Sequence, residues 1–392
     1  MKVLVFMTQF YELSGAERLG VELAEELNKR GIHADILSMY SKELPGVAGA
    51  KEDLVQRGIP SVHFLDMKIH PPMSSLLPAV LKLRRLIRAQ KYDIVETSML
   101  SPSVIASWAT IGGYAKHVAG LHDVFQRNRH TSRRYRFWRL SMKCNRRTRF
   151  YAISNYARQC WLEYSRTPAA HTVMIHNGIP DDCYNAISDR PALLDELGLD
   201  SDTRLILFVG RLLKRKGIDT LYEAVSHVLR EHNLALLYVG AKDAPEEFFP
   251  DDPGTLERLK QLVKTDGLVD RVRFLGRRTD VPRLMASCDL LVHPARIEGF
   301  GLVLAEALAA GLPVVASNVE GIPEVLAGTD SIMVAPNDPD ALCSATLRTL
   351  QRSPEEAAQA LEKGRHRADD FRMKKRIDAM IQFFTGVVTE RL

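Results

Sequence analysis

A short cationic loop bracketed by two glycines follows the candidate strand Arg204–Val209. The loop carries Arg211 and Lys216 between Gly210 and Gly217, and a predicted helix comes next. Free N–H groups and the dipole at a helix N-terminus favour an anion, and an arginine fork with a lysine charge suits phosphate oxygens. The loop therefore predicts a diphosphate site, with a solvated basic turn as the alternative. Its spacing differs from the phosphate loop of simple ATPases.

Two glutamates eight residues apart, Glu298 and Glu306, follow a second candidate strand, 290–292. Gly299 and Gly301 lie between them and allow the backbone to approach a ligand, and a helix predicted to begin near Gly301 points its N–H groups the same way. Carboxylates repel phosphate, but they can accept hydrogen bonds from the hydroxyls of a sugar and of a ribose. An ordinary exposed helix residue is the alternative for Glu306, and its apolar neighbours disfavour that alternative.

The elements that must position these loops alternate between strand-like and helix-like segments, and the alternation begins anew in the second half. Such alternation indicates parallel sheets covered on both faces, whose ligands bind at the carboxyl ends of the strands. The fold class we predict is α/β, with two Rossmann-like doubly wound domains facing each other across a cleft. The predicted strands are 2–6, 34–38, 94–97, 118–121, 150–153 and 172–175 in the first half and 204–209, 235–239, 272–275, 290–292 and 314–316 in the second.

A chain of 392 residues fits two domains. The polar stretch 177–201 is interpreted as the linker, which gives a first domain of 1–180 and a second of 181–370. Within this stretch, Asp200-Ser201-Asp202 has the D-x-D form of a metal site but is interpreted as a turn.

The composition favours a cytoplasmic protein. The five cysteines are scattered without a CxxC pair, and no apolar run is long enough for a membrane span. The charge is uneven: residues 1–180 hold 26 Lys and Arg against 14 Asp and Glu, a net +12, whereas the remainder holds 27 against 34, a net −7. This asymmetry predicts different partners for the two halves.

The segment 127–149 is strongly basic, with ten Lys and Arg and no Asp or Glu. The segment 76–91 adds five more. We weigh three interpretations: an amphipathic surface that docks on anionic lipid, a solvated face or site for a soluble anionic acceptor, and nucleic-acid binding, which no recognised motif supports. The residues assigned to this membrane or acceptor patch are Arg133, Arg134, Arg136, Trp138 and Arg139.

The block 298–317, EGFGLVLAEALAAGLPVVAS, resembles the retaining GT-B glycosyltransferases of glycosyltransferase family 4. The segments FVGRLLKRKGID and RVRFLGR also match, and the resemblance extends over nearly the whole chain. The matching pieces of the first half are the segments 14–18, 120–123, 153–156 and 175–179. Two positions depart from the family pattern, because the family often has two glycines where this chain has Ser14-Gly15 and Glu320-Gly321.

The resemblance implies a role for each matching position. Arg211 and Lys216 would contact the donor diphosphate, Glu298 the sugar hydroxyls and Glu306 the ribose. His122 would reach toward the donor sugar from the first domain. The backbone near Arg273 and Phe274 would frame the base, and the amides of Phe300 and Gly301 would bind the distal phosphate. The implied catalytic residues are His122, Arg211, Lys216 and Glu298, and the implied donor-binding residues are Gly15, Gly210, Arg211, Lys216, Gly240, Arg273, Phe274, Glu298, Gly299, Phe300, Gly301, Leu302 and Glu306.

The implied activity is transfer of a hexose-type sugar, with retention, from a UDP- or GDP-sugar to a polysaccharide or lipid-linked acceptor. No metal and no cofactor are expected, because cationic side chains already neutralise the phosphates. We expect a cytoplasmic protein, peripheral on the membrane, that does not bind nucleic acid. The resemblance also implies that a C-terminal helix, 371–392, packs back on the first domain. A sugar-nucleotide epimerase of GT-B fold and a catalytically silent nucleotide-sugar-binding module are the alternatives.

Overall fold

A computed structural model describes residues 1–11, 15–69, 71–126, 133–241 and 254–390. Ser14 and the segment 127–132 lie outside the described residues, as do the side chains of Arg133 and Arg134. The chain divides into two compact units. Unit 1 comprises residues 1–178 and 374–392, and unit 2 comprises residues 179–373. The boundary lies two residues before the predicted one.

Unit 1 contains a seven-stranded parallel sheet in the order β3-β2-β1-β4-β5-β6-β7. Most residues of its strands are buried, as a sheet covered on both faces requires. The strands are β1 (Lys2–Met7), β2 (His33–Tyr40), β3 (Val62–Met67), β4 (Ile94–Thr97), β5 (Lys116–Leu121), β6 (Arg149–Ala152) and β7 (Thr172–Met174). The helices are α1 (Gly15–Lys29), α2 (Val47–Gln56), α3 (Leu76–Gln90), α4 (Leu100–Thr110), α5 (Arg133–Cys144) and α6 (Asn155–Ser165).

Unit 2 contains a six-stranded parallel sheet in the order β10-β9-β8-β11-β12-β13. Its strands are β8 (Arg204–Val209), β9 (Leu234–Val239), β10 (Val272–Gly276), β11 (Leu290–His293), β12 (Val314–Ser317) and β13 (Ile332–Val334). The helices are α7 (Asp181–Tyr184), α8 (Arg190–Leu197), α9 (Ile218–Val225), α10 (Thr255–Thr265), α11 (Val281–Ser287), α12 (Leu302–Ala310), α13 (Ile322–Val325), α14 (Pro339–Leu350) and α15 (Pro354–Ala368). The strand order reverses beside β8, and ligands of such sheets bind where this happens.

The fold class predicted from the alternation is confirmed, with two parallel sheets flanked by helices. The strands β3 and β13 were not predicted from the sequence. β3 alternates polar and apolar residues, and β13 has only three half-buried residues. The interpretation of 177–201 as a plain linker is wrong in part, because α8 buries Leu193, Leu194 and Leu197.

The C-terminal helix α16 (Met373–Thr389) belongs to unit 1 from Lys374 onward. Its buried apolar residues, Ile377, Met380, Phe384 and Val387, recur at three- and four-residue spacing, as expected for one face of a helix. The guanidinium of Arg376 is also buried and donates a hydrogen bond to the carbonyl of Leu19 in α1, at 3.2 Å. The helix is therefore an integral part of unit 1.

Candidate active site

The ends of β8 and β9 meet at two glycines. A Cβ atom on Gly240 would lie 1.8 Å from the carbonyl oxygen of Gly210, and the φ angle of Gly240 is +147°. Both the space and the backbone conformation therefore require glycine at position 240. The Gly210 N–H donates to the carbonyl of Val239 at 2.9 Å, so this close approach fixes where the loop after β8 begins.

The loop 210–217 is in turn attached to the segment that follows β11. A Cβ atom on Gly217 would lie 2.0 Å from the carbonyl oxygen of Pro294. The N–H of Arg296 donates to the carbonyl of Arg215 at 2.9 Å. The Arg296 guanidinium also forms an ion pair with Asp219, at 2.7 and 3.0 Å. Arg296 was not singled out in the sequence, because its partner is 77 residues away in the chain.

The two predicted loops converge on one ion pair. Lys216 Nζ lies 2.5 Å from Glu298 Oε2, and each side chain is only 15% exposed. The same oxygen lies 3.0 Å from His293 Nε2. Burial lowers the pKa of His293, so at neutral pH the ring is neutral and Nε2 donates its proton to Glu298. Thus a buried carboxylate is held between a lysine and an imidazole. His293 was not assigned to the site from the sequence.

The segment 320–321, where the chain departs from the family pattern, contacts the backbone beside Glu298. Glu320 has a φ angle of +48°, in the left-handed region where glycine is favoured. Its carboxylate accepts a hydrogen bond from the Glu298 N–H at 2.9 Å. A Cβ atom on Gly321 would lie 2.1 Å from the Gly299 carbonyl oxygen, so the retained glycine is sterically required. The substituted position instead adds a carboxylate that anchors the Glu298 backbone.

Helix α12 starts at this point. Gly301 caps its N-terminus with a φ angle of +87°, and Leu302 is its first residue. Glu306 is 7% exposed, so the interpretation of this residue as an exposed helix glutamate is wrong. The ring of Phe300 is buried and meets Phe371 edge-on, with centroids 5.4 Å apart. The side chain of Phe300 is therefore part of the core of unit 2, and the role expected for its amide stays a prediction.

The two residues expected to frame the base are on β10. The Phe274 ring stacks on Tyr238, with centroids 5.1 Å apart. The Arg273 guanidinium donates to the carbonyls of Val269 and Leu197. These side chains are thus engaged with the protein, which leaves the backbone role of β10 as a prediction.

The structure brings most of the predicted donor-binding residues together at the carboxyl ends of neighbouring strands of unit 2. Contacts connect Gly210 with Gly240 and Lys216 with Glu298, and the helix that carries Leu302 and Glu306 begins beside them. Gly15 and His122 belong to unit 1. Their predicted approach to the donor stays a prediction.

The expected role of Trp138 at a membrane interface is wrong. Its side chain is 3% exposed and stacks on Phe125, with centroids 4.6 Å apart, and Trp161 lies 5.1 Å away. The cause is helical periodicity, because Trp138 lies on the inner face of α5 with buried Met142. An aromatic residue within a basic run therefore forms part of the core.

Several charges of the basic segment also serve the fold. Arg139 donates to the carbonyl of Tyr164 and lies over its ring, 5.2 Å from the centroid. Arg147 donates to the carbonyl of Gly113, and Arg149 pairs with Glu390. Arg136 is exposed. Arg139, Arg147 and Arg149 are thus engaged in contacts within unit 1.

Two sequence models of protein families match the chain. The one described as Glycosyltransferase Family 4 matches residues 13–182, and the one described as Glycosyl transferases group 1 matches residues 203–352. The chain belongs to the glycosyltransferases that these two models describe. The second match spans both Lys216 and Glu298, so the ion pair lies within the family's own sequence pattern.

Curated relatives of this glycosyltransferase include two informative cases. The N-acetyl-alpha-D-glucosaminyl L-malate synthase of Bacillus anthracis is 25% identical over 350 residues, which is 84% of this chain and 83% of the relative. The lipopolysaccharide glucosyltransferase WaaG of Escherichia coli is 32% identical over 212 residues, 53% of each chain. For WaaG and six other relatives, the match covers about half of the relative's own length or less.

Solved structures place the chain in the GT-B fold with two Rossmann-like domains. HepE from Anabaena in complex with UDP-glucose has a TM-score of 0.81 at 22% identity, and the match covers 98% of this chain and 100% of HepE. A crystal structure of WaaG has a TM-score of 0.73 at 21% identity, with 98% and 100% covered. At this identity the likeness establishes the fold.

Replacing Lys216 with Met should destabilise the protein in a pH-dependent way. Burial raises the pKa of Glu298, but the Lys216 charge and the His293 hydrogen bond outweigh it and hold the pKa well below its usual range. A carboxyl group with a lowered folded-state pKa stabilises the fold above its unfolded pKa, about 4.3, and loses that contribution as the pH falls. Urea unfolding should show a loss of ~3 kcal/mol at neutral pH, shrinking below about pH 4.

The matched control is Lys214→Met, which removes an exposed lysine from the same loop and should leave the free energy of unfolding nearly unchanged. If the Lys216→Met loss were the same at neutral and acid pH, the lysine would not be what keeps Glu298 ionised.

Proposed function

We propose that this glycosyltransferase moves a hexose-type sugar, with retention, from a UDP- or GDP-sugar to an acceptor in surface-polysaccharide or glycolipid synthesis. The observation that carries the proposal is the Lys216–Glu298 pair, which lies beside the N-terminus of α12. A cation, a hydroxyl acceptor and a helix N-terminus are the groups that a diphosphate-linked sugar needs. Relatives named for glucosyl and mannosyl transfer and a neighbour that binds UDP-glucose support the substrate class.

Each residue of unit 2 has a distinct task in this proposal. Lys216 and Arg211 stabilise the negative charge that develops on the diphosphate as the glycosidic bond breaks. Glu298 accepts hydrogen bonds from sugar hydroxyls with the oxygen that is not committed to Lys216 and His293. Glu306 accepts from the ribose. His293 and Glu320 keep the Glu298 carboxylate and backbone in place.

Two alternative functions would treat the nucleotide sugar differently. A GT-B sugar-nucleotide epimerase would release a rearranged sugar without an acceptor, and the separate E-x7-E pair of Glu298 and Glu306 argues against it. A silent binding module would not cleave its ligand, and the intact Lys216 and Glu298 argue against that alternative. Slow hydrolysis of the donor in the absence of an acceptor, with release of the unaltered sugar, would distinguish transfer from both.

The proposal includes no metal and no cofactor. In the part of the chain that the structure describes, no group of three His, Cys, Asp or Glu side chains could hold a metal ion. The charge on the diphosphate is instead neutralised by Arg211, Lys216 and the amides at the start of α12. Binding and transfer are therefore expected to proceed in EDTA.

Substitution of the two glutamates should separate binding from turnover. Glu306→Gln should weaken the affinity for free UDP or GDP roughly tenfold, because a hydrogen bond to a charged acceptor is worth about 1.5 kcal/mol or more. Glu298→Gln should leave that affinity within about twofold and reduce turnover, since the reacting sugar is the only part of the donor that Glu298 touches in this proposal. Calorimetric titration in EDTA and an assay of donor hydrolysis measure both quantities.

Full loss of nucleotide binding in EDTA, with recovery in magnesium, would overturn the metal-free proposal. Equal affinity of wild type and Glu306→Gln for both nucleotides would remove Glu306 from the ribose.

We also propose that unit 1 docks on an anionic membrane surface from the cytoplasmic side. The structure describes no helix capable of crossing a bilayer. The outer side of α3 and of the turn before it exposes Met73, Leu77 and Leu81 by 69%, 61% and 46%, at four-residue spacing. Arg85 and Arg88, farther along α3, are also exposed. An apolar strip continued by cations suits an anionic interface better than Trp138 and α5 do.

Vesicles that contain anionic lipid should therefore bind the protein through α3. Reversing Arg85 and Arg88 to Glu removes two attractive charges and adds two repulsive ones, so it should weaken partitioning by at least about 2 kcal/mol, roughly 30-fold or more. Leu77→Ser with Leu81→Ser should also weaken it. Sedimentation with vesicles of anionic and of neutral lipid provides the measurement.

The control is reversal of Arg258 and Lys264, two exposed cations of α10 in unit 2, which changes the net charge equally. If both reversals weakened binding to the same degree, net charge rather than α3 would account for the attraction.

A further inference from the structure

A buried polar cluster occupies the carboxyl ends of three neighbouring strands in unit 1. Glu96 belongs to β4, and Ser98 follows that strand. His122 comes directly after β5, and Tyr151 belongs to β6. Glu96 and Tyr151 are 1% and 0% exposed. The sequence drew attention only to His122, because its partners are up to 29 residues away and carry no shared spacing.

The hydrogen bonds of this cluster determine where its protons lie. The Tyr151 hydroxyl donates to Glu96 Oε1 at 2.7 Å, and the Ser98 hydroxyl donates to the same oxygen at 2.8 Å. Each hydroxyl has one proton. Ser98 Oγ also lies 3.2 Å from the Tyr151 oxygen, but the shorter contacts direct both protons to Glu96. The contact of 3.4 Å between His122 Nε2 and the Tyr151 oxygen then requires a proton from the imidazole. This fixes Nε2 as the protonated nitrogen and leaves a lone pair on Nδ1.

Protonation of Glu96 would not change this result. Burial raises the pKa of Glu96. Oε2 has no hydrogen-bond partner among the described residues, so a proton taken up there would leave Oε1 as the acceptor for both hydroxyls. Whether Glu96 is ionised or protonated, His122 Nε2 donates to the Tyr151 oxygen and the Tyr151 hydroxyl donates to Glu96.

The backbone is shaped to admit this chain. Gly120, next to Tyr151 across the β5–β6 ladder, has no side chain between them. A Cβ atom there would lie 2.5 Å from the Tyr151 hydroxyl and 3.0 Å from His122 Nε2. Any larger residue would force the hydroxyl away from the imidazole, so the glycine and the polar chain depend on each other.

The imidazole is neutral at physiological pH. Burial, together with the positive charge of Arg376 from α16, lowers the pKa of His122 to about 3. A neutral imidazole with a fixed Nε2 proton presents Nδ1 as a hydrogen-bond acceptor. Such an acceptor suits a hydroxyl group and offers no charge to a phosphate or carboxylate.

We propose that Glu96 and Tyr151 are positioning residues that hold His122 in the Nε2-protonated form, so that Nδ1 accepts a hydrogen bond from a substrate hydroxyl. The hydroxyl is that of the sugar in the transfer reaction, and this part rests on the proposed function. The tautomer itself rests only on the contacts within unit 1.

The test is the nitrogen NMR spectrum of the full chain labelled with ¹⁵N-histidine, with the His122 signals assigned by their loss in His122→Gln. The chain has 12 histidines, so this assignment is necessary. Wild type should show a protonated Nε2 and an unprotonated Nδ1 across neutral pH. Tyr151→Phe should shift the population toward the other tautomer. Ser98→Ala, which removes the other hydroxyl donor to Glu96, should keep the wild-type pattern.

An Nδ1-protonated or charged His122 in wild type would overturn the proposal, and so would an unchanged tautomer in Tyr151→Phe. The wild-type spectrum alone decides the point if that variant does not fold. In the donor-hydrolysis assay, Tyr151→Phe should lower kcat by ~10–100-fold, by analogy with the loss of a partner that orients a metal-binding histidine, while UDP or GDP affinity in unit 2 stays unchanged. If the tautomer changed in Tyr151→Phe as predicted but the variant kept the wild-type turnover, Nδ1 would not serve the reaction.

Discussion

The arrangement of unit 2 depends on one desolvated ion pair, between Lys216 and Glu298. The two residues come from loops that follow different strands, 82 residues apart in sequence. A buried carboxylate with no counter-charge would be unfavourable by several kcal/mol. The Lys216 loop supplies that counter-charge and so stabilises the position of the Glu298 loop. The surrounding contacts, from His293 to the Glu320 carboxylate, complete the environment of the same anion.

Glycine makes this meeting possible. Positions 217, 240 and 321 all have backbone carbonyls within about 2 Å of where a Cβ atom would be, and together they bring the ends of four strands, β8, β9, β11 and β12, into contact. The result is a surface that combines a helix N-terminus with the charge of Lys216. Its polar groups are already oriented before a ligand arrives, which is the property that electrostatic stabilisation of a leaving diphosphate requires.

The sequence predicted the parts of the site that are local in the chain. Gly210, Lys216, Glu298 and Glu306 could be found because each follows a recognisable strand at a fixed spacing. It did not predict partners that the fold brings from a distance, such as Asp219 for Arg296 or Tyr151 for His122. Composition was misleading for Trp138, because a basic run says nothing about which face of a helix is buried. The two strands that were not predicted, β3 and β13, are edge strands whose residues are mostly only half-buried.

The central claim is that Lys216 serves a diphosphate. It is tested most directly by comparing the affinities of a nucleoside diphosphate and its monophosphate, in the uridine and guanosine series, for wild type and Lys216→Met. In the series that binds more tightly, wild type should bind the diphosphate roughly 10–100-fold more tightly than the monophosphate, which corresponds to one or two charge-assisted hydrogen bonds. Lys216→Met should lose most of that preference. Equal affinity of wild type for both nucleotides, or an unchanged preference in a folded Lys216→Met protein, would contradict the account.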